Sequence, residues 1–136
     1  MHKGNEKKRE YVFNYEDSKA FFSASDLLKE QGKQMRTVWD IPNNKAKEEL
    51  INGSHPTQKP LRVAERILMI AGVKGGRLFV PFVGSGTEMI AGLKYGMKVY
   101  GFEIEAEYFD LAKKRMENAE KELRTQLFQA IWAIHQ

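Results

Sequence analysis

A chain of 136 residues, 42% hydrophobic and 29% charged, has the balance of one globular domain or part of one, which excludes wholesale disorder. It contains no cysteine, ruling out disulfides and thiolate metal sites, and no apolar run near the ~20 residues that cross a bilayer. The net charge of +4 suits a polyanion such as DNA, because Lys and Arg on phosphates release condensed counterions.

Residues 1–9 are basic but lead into no apolar signal stretch, so a cytoplasmic, membrane-free protein is expected. His2, His55 and His135 are too scattered to suggest a metal site, and none is expected. Residues 1–36 are polar and poorly periodic, and little regular structure is expected there. Residues 37–42 read as extended chain, because Pro42 pushes its predecessor out of the α region. Asn-Asn and Asn-Gly pairs mark residues 43–54 as a loop.

Order sharpens after His55. Pro60 reads as the first position of a helix carrying Val63, Ala64, Ile67, Leu68 and Ala71 at helical spacing, with Gly72 ending it. Gly75-Gly76 is a turn, and residues 77–82 form a short apolar strand, of the kind buried on both faces of a parallel sheet. A glycine-rich turn follows at residues 83–87. A helix then runs to about Tyr95, stopped by Gly96, and residues 97–103 form a second strand. From Glu105 onward there is neither glycine nor proline, and apolar residues recur three or four apart, giving one long amphipathic helix, broken late if at all. Strand, helix, strand, helix is a βαβα unit, so the fold class is α/β with an incomplete parallel sheet and flanking helices.

The turn Phe82-Val83-Gly84-Ser85-Gly86-Thr87 joins strand to helix, where glycines let a ligand approach and the helix offers unpaired N–H groups. About 20 residues on, Glu103 ends the second strand, where a carboxylate can accept hydrogen bonds from both hydroxyls of a ribose. The bland reading is a structural turn with a surface charge; the joint order and spacing favour a nucleoside-bearing cofactor. A dinucleotide site would carry a third glycine where this chain has Met89, which disfavours NAD.

These strings also carry a family resemblance. Residues 79–87, Phe-Val-Pro-Phe-Val-Gly-Ser-Gly-Thr, resemble the D-P-F-x-G-S-G-T motif of adenine-N6 and cytosine-N4 DNA methyltransferases. Upstream, His55-Pro56-Thr57-Gln58-Lys59-Pro60 is similar to their H-P-T-Q-K-P segment. Downstream, Gly101-Phe102-Glu103-Ile104 and Tyr108 are similar to their G-x-E-I-x-x-x-Y, and residues 37–42 resemble the exit from their target-recognition region. The three motifs stand in family order over about half the chain.

The resemblance implies a partial Rossmann-like methyltransferase fold of the permuted type, with the catalytic block upstream of the cofactor block, and S-adenosylmethionine as cofactor. Residues 82–87 would wrap its methionine end, with Thr57 and Lys59 reaching its carboxylate; Glu103 would hold the ribose and Ile104 would lie against the adenine. His55 is expected to cap or pack and not to ligate. Lys33, Arg36 and Lys45 are candidate DNA-phosphate contacts, against the alternative of a solvated loop surface. By this reading residues 1–36 are a remnant of target recognition, residues 37–120 the cofactor-binding unit, and residues 121–136 an amphipathic helical end. That end either meets a partner or folds back on its own core.

Two departures stand out. Val80 replaces the family's Asp, removing a polar group expected near the cofactor's ammonium. The D-P-P-Y catalytic motif is absent, because the prolines at 42, 56, 60 and 81 are never adjacent. No catalytic residue is assigned. A catalytic partner chain or a second copy is expected to complete the sheet, the chain being inactive alone. The alternative is a degenerate, non-catalytic module that binds DNA or protein.

Overall fold

The computed structural model describes residues 11–20, 38–43 and 45–134; Lys33 and Arg36 lie outside them. Within these residues the helices are α1 (Tyr15–Ala20), α2 (Lys47–Leu50), α3 (Leu61–Ala71), α4 (Thr87–Lys94) and α5 (Ala106–Ile134). The strands are β1 (Arg77–Val80) and β2 (Lys98–Gly101). The strands pair in parallel, Arg77 opposite Lys98 and Val80 opposite Gly101, with α4 as the crossover between them. This is the expected βαβα unit, an α/β fold with a partial Rossmann-like sheet.

Helix α4 is the hub, packing on α3, on α5 and on both strands. It can approach the sheet closely because of Gly92: a methyl group there would lie 2.6 Å from Leu78 Cδ2 and 2.8 Å from Val99 Cγ1. The close helix–strand packing is thus supplied by Gly92, three residues after Met89. Two small apolar clusters form the core, Ala64–Leu68–Ala91 and Val80–Val83–Ala112, and Leu78 packs against both.

The structure differs from the sequence reading in five places. Both strands are shorter than read, β1 ending at Val80 instead of residue 82 and β2 spanning Lys98–Gly101 instead of 97–103, because the glycine turn and the Glu103 clasp begin there. Pro60 lies just outside α3 as its N-cap, in extended conformation, rather than at the first helical position. One helical turn, α2, stands in the loop at 43–54, because the Glu49 carboxylate accepts the Ala46 N–H (3.1 Å) and so closes the turn. Inside the polar segment 1–36, residues 15–20 are helical. Asn14 docks them on the end of α3, its side-chain amide donating to the carbonyls of Met69 (3.0 Å) and Gly72 (2.8 Å). Finally, among the described residues the sheet is covered on one face only. Leu78 and Val80 point toward the helices, whereas Phe79 is 58% exposed and its register partner Tyr100 52%.

The C-terminal helix runs unbroken through residue 120 and does not fold back. Its buried residues are Leu111, Ala112, Arg115 and Ala119, so the part beyond Ala119, with Leu127, Phe128 and Trp132, stands exposed. Among the described residues no helix is long and apolar enough to cross a membrane, and no three His, Asp or Glu side chains gather as a metal site would require.

Candidate functional site

The site forms where β1 turns into α4. Gly84 and Gly86 both have positive φ, 53° and 79°, which a side chain would strain. Gly86 also lies against α5, where a methyl group would meet Ala112 Cβ at 3.2 Å. The Gly86 N–H donates to the Val83 carbonyl (2.9 Å), and the Val83 N–H to the Phe102 carbonyl (3.0 Å). The turn is thereby closed on itself and tied to the end of β2.

Glu103, just past β2, reaches back to this turn. One carboxylate oxygen accepts the Gly84 N–H at 2.7 Å and the other the Glu105 N–H at 3.0 Å. The Glu105, Gly84 and Ile104 amides and nearby His55 hold the carboxyl below its ordinary value, outweighing desolvation. A carboxylate has about four lone-pair sites, so Glu103 keeps capacity for further donors from the cleft.

The opposing wall is the loop before α3. The His55 Nδ1 accepts from the Thr57 N–H at 3.2 Å and lies 3.2 Å from the Thr57 hydroxyl, which places the ring proton of the neutral form on Nε2. The ring stands edge-on to Tyr108, 4.1 Å between centroids, and beside Gly84. His55 thus caps and packs, as its sequence context suggests. Gln58 is buried and secures the loop, donating to the Glu49 carbonyl (3.2 Å), while Glu49 accepts the Leu61 N–H (2.8 Å) at the start of α3.

Turn and loop enclose a cleft of about 330 Å³, lined by His55, Thr57, Gln58, Lys59, residues 82–85, Thr87, Glu88 and Glu103. Eight of the ten residues expected to hold a cofactor therefore share one cleft. The other two do not line it: Gly86 is buried against α5, and Ile104 is 94% exposed outside it. Lys59 bends back to donate to the Thr57 carbonyl (3.2 Å), so reaching a ligand requires releasing that bond. The Ser85 and Thr87 hydroxyls, 3.2 Å apart, are buried. The N-terminus of α4, with its partial positive charge, opens at Thr87.

Val80 is buried in the apolar cluster with Val83 and Ala112 and does not line the cleft. Lys45 lies elsewhere, at a second cleft of about 570 Å³ whose walls also carry Glu48, Glu49, Glu65 and Glu122. Sequence reasoning missed Arg115, a buried guanidinium on α5 that donates to the Ser85 carbonyl (2.5 Å) and the Thr87 hydroxyl (3.2 Å).

Known proteins are similar to this sequence over much of its length. The profile of an N6/N4 DNA methylase family matches residues 2–114. The chain is 40% identical over 115 residues to the type II methyltransferase M2.DpnII of Streptococcus pneumoniae, covering 83% of this chain and 39% of that protein. It is 39% identical over 112 residues to M2.LlaDCHI of Lactococcus lactis subsp. cremoris, covering 82% and 38%. Among solved structures, M1.HpyAVI in a SAM complex is 41% identical, with a TM-score of 0.44 over 46% of this chain and 31% of that one. The chain spans about two fifths of the length of the curated relatives it matches.

Proposed function

The chain belongs to the N6/N4 DNA methylase family, and on that premise we propose that it is the S-adenosylmethionine-binding half of a site-specific DNA amino-methyltransferase. The observation that carries this reading is Glu103, held by the Gly84 and Glu105 amides on one wall of a cleft whose other wall is the 55–59 loop. A cleft of about 330 Å³ falls within the range of small-molecule sites. Glu103 offers its remaining lone pairs to a ribose diol, and Lys59 and Thr57 offer a cation and a hydroxyl to a carboxylate. The backbone of residues 82–85 can lie against an extended chain. The bound cofactor would supply an electrophilic sulfonium methyl group.

Methyl transfer also needs acceptors that orient the target amine and an aromatic ring that stacks on the flipped base. The 136 residues hold no D-P-P-Y string, so those groups belong to another polypeptide segment or chain. The uncovered sheet face supports this assembly. Phe79 and Phe102, 5.8 Å apart edge to face, stand with Tyr100 beside strand edges that pair with no further strand among the described residues. DNA is the proposed substrate, with Lys33, Arg36 and Lys45 as its phosphate contacts in the assembled enzyme. The inward packing of Val80 and the intact Glu103 clasp favour cofactor binding over a degenerate module.

Calorimetry of the purified chain tests the reading, with S-adenosylmethionine as ligand and NAD as control. Selective binding of S-adenosylmethionine that disappears in Glu103→Ala is expected. Equal binding of NAD, no binding, or binding indifferent to Glu103→Ala overturns it.

A further inference from the structure

The hydrogen bonds of the glycine turn form a directed chain. Arg115 Nη1 donates to the Ser85 carbonyl at 2.5 Å. That carbonyl shares a peptide group with the Gly86 N–H, which donates to the Val83 carbonyl at 2.9 Å. The Val83 carbonyl in turn shares a peptide group with the Gly84 N–H, which donates to Glu103 Oε2 at 2.7 Å. A guanidinium thus stands at the donor end of two peptide groups linked in series by hydrogen bonds, and a carboxylate at the acceptor end.

We propose that Arg115 is a positioning residue for the cofactor site, acting through the peptide groups of the turn to fix and polarise the Gly84 amide that orients Glu103. The inference rests on the reading of Glu103 as the ribose-binding carboxylate. Hydrogen bonds in series strengthen one another, and more so in the low dielectric of an interior. Arg115 is only 5% exposed and is held by oxygens of the turn, with no carboxylate pairing to it among the described residues. Burial pushes its guanidinium down from its ordinary value, while the more distant Glu49 and Glu88 oppose that shift. A charge kept at such a cost, with the turn as its contact, has its use in the turn. The Thr87 hydroxyl, 3.2 Å away, fixes the direction of the guanidinium. Removal of Arg115 leaves the Ser85 carbonyl without its donor and lets the Gly84 amide drift from Glu103.

The test reads Glu103 itself. The carboxyl faces the Gly84, Ile104 and Glu105 amides and His55, and Lys59 lines the same cleft, so carbon-detected NMR titration of Glu103 reports on this cluster. In Arg115→Met, which fills the space without a donor, the titration midpoint is expected to rise toward the ordinary glutamate value. The Gly84 amide proton should move upfield, and the dissociation constant for S-adenosylmethionine should rise on the order of tenfold. Arg115→Lys, a cation of similar reach, should restore part of all three. A purely space-filling role predicts an unchanged Glu103 titration. A folded Arg115→Met protein with wild-type Glu103 titration and Gly84 shift overturns the proposal. If Arg115→Met does not fold, Arg115→Leu, which also lacks a donor, carries the same test, and an unmoved titration there overturns the proposal equally. Failure of the wild-type chain to bind S-adenosylmethionine refutes the cofactor reading alone, because the titration needs no ligand.

Discussion

Gly101 is where the two strands and the glycine turn converge, and Gly101→Ala measures how tightly. A methyl group there would overlap Val83 Cγ2, lie 2.7 Å from the Val80 carbonyl oxygen and 3.2 Å from Met89 Sδ. Carbon contacts are comfortable at about 3.5–4.0 Å, so each neighbour must retreat. Met89 can bend away, and Val83 can turn at some cost in packing. The Val80 carbonyl cannot, because it accepts the Phe102 N–H at 3.2 Å and belongs to the last register pair of the sheet. Overpacking costs about 1–3 kcal/mol, and weakening that backbone bond up to about 1 kcal/mol more. A stiffer unfolded chain offsets about 0.4–1 kcal/mol. The expected net loss is about 1–3 kcal/mol, a fall in melting temperature on the order of 5–10 °C. Urea titration followed by circular dichroism checks it, with Gly96→Ala as control. Gly96 has φ 82° and open space around it, so that variant pays only about 1–2 kcal/mol of left-handed strain. Adding Val83→Ala to Gly101→Ala relieves one of the three contacts, and the pair should be less than additive. If Gly101→Ala is no more harmful than Gly96→Ala, and Val83→Ala adds its full cost, the convergence is looser than these distances imply.

Two further expectations concern Glu103 and the long helix. Because the Glu103 carboxyl is held below its ordinary value of 4.5, its contribution is fully present above that value and is lost as pH falls through the lowered folded value. The gap in urea midpoint between wild type and Glu103→Ala should therefore be constant from about pH 8 to pH 6 and shrink in acid; a gap that widens on acidification contradicts the clasp. Truncation after Glu120 removes no buried side chain among the described residues, so the melting temperature should change by no more than about 3 °C. Sedimentation of the same protein decides whether Leu127, Phe128 and Trp132 serve an interface: an unchanged oligomeric state rules it out.

What the sequence made legible depended on punctuation and period. Gly72, Gly75-Gly76 and Gly96 bound α3, β1 and α4 because each ends a run that apolar spacing begins. The cleft was legible because its parts lie in short local strings: a turn, a strand end, a loop before a helix. Arg115 was not. Within Lys113-Lys114-Arg115 it reads as one of three solvated cations, yet it shares a stripe with Ala112 and Ala119, three and four residues away, which is the buried side of α5. That spacing was the available signal. Glu49 and Gln58 look like surface polar residues, and only tertiary contact reveals that they hold the 55–59 loop against α3. The sheet misled for another reason. An apolar strand shows that both faces are fit for burial and says nothing of what buries them, so Phe79 and Tyr100 are exposed among the described residues while Leu78 and Val80 are covered.

That uncovered face bears on the cofactor as well as on the assembly. Phe82 is 89% and Ile104 94% exposed, and both belong to the strings expected to touch the cofactor, one at its methionine end and one at its adenine. Two large apolar side chains so open to water lend a ligand little on their own, since the gain comes from area removed from solvent. They would become effective if another surface closed over them, and in the proposed assembly that surface would be the one that covers Phe79 and Phe102. Cofactor affinity and assembly should then be coupled, and linkage makes the coupling reciprocal: a partner that tightens S-adenosylmethionine by some factor is itself tightened by the cofactor by the same factor. Titrating the chain with its partner, at zero and at saturating S-adenosylmethionine, measures one side, and titrating cofactor with and without partner measures the other. Couplings of this kind run from about fivefold to 150-fold. Replacing Ile104 with Ser should shrink the factor while leaving Glu103's hold on the turn untouched, because the Ile104 side chain stands outside the cleft that Glu103 lines. A factor of one would mean that this chain builds its cofactor site unaided and that the open sheet serves a separate contact.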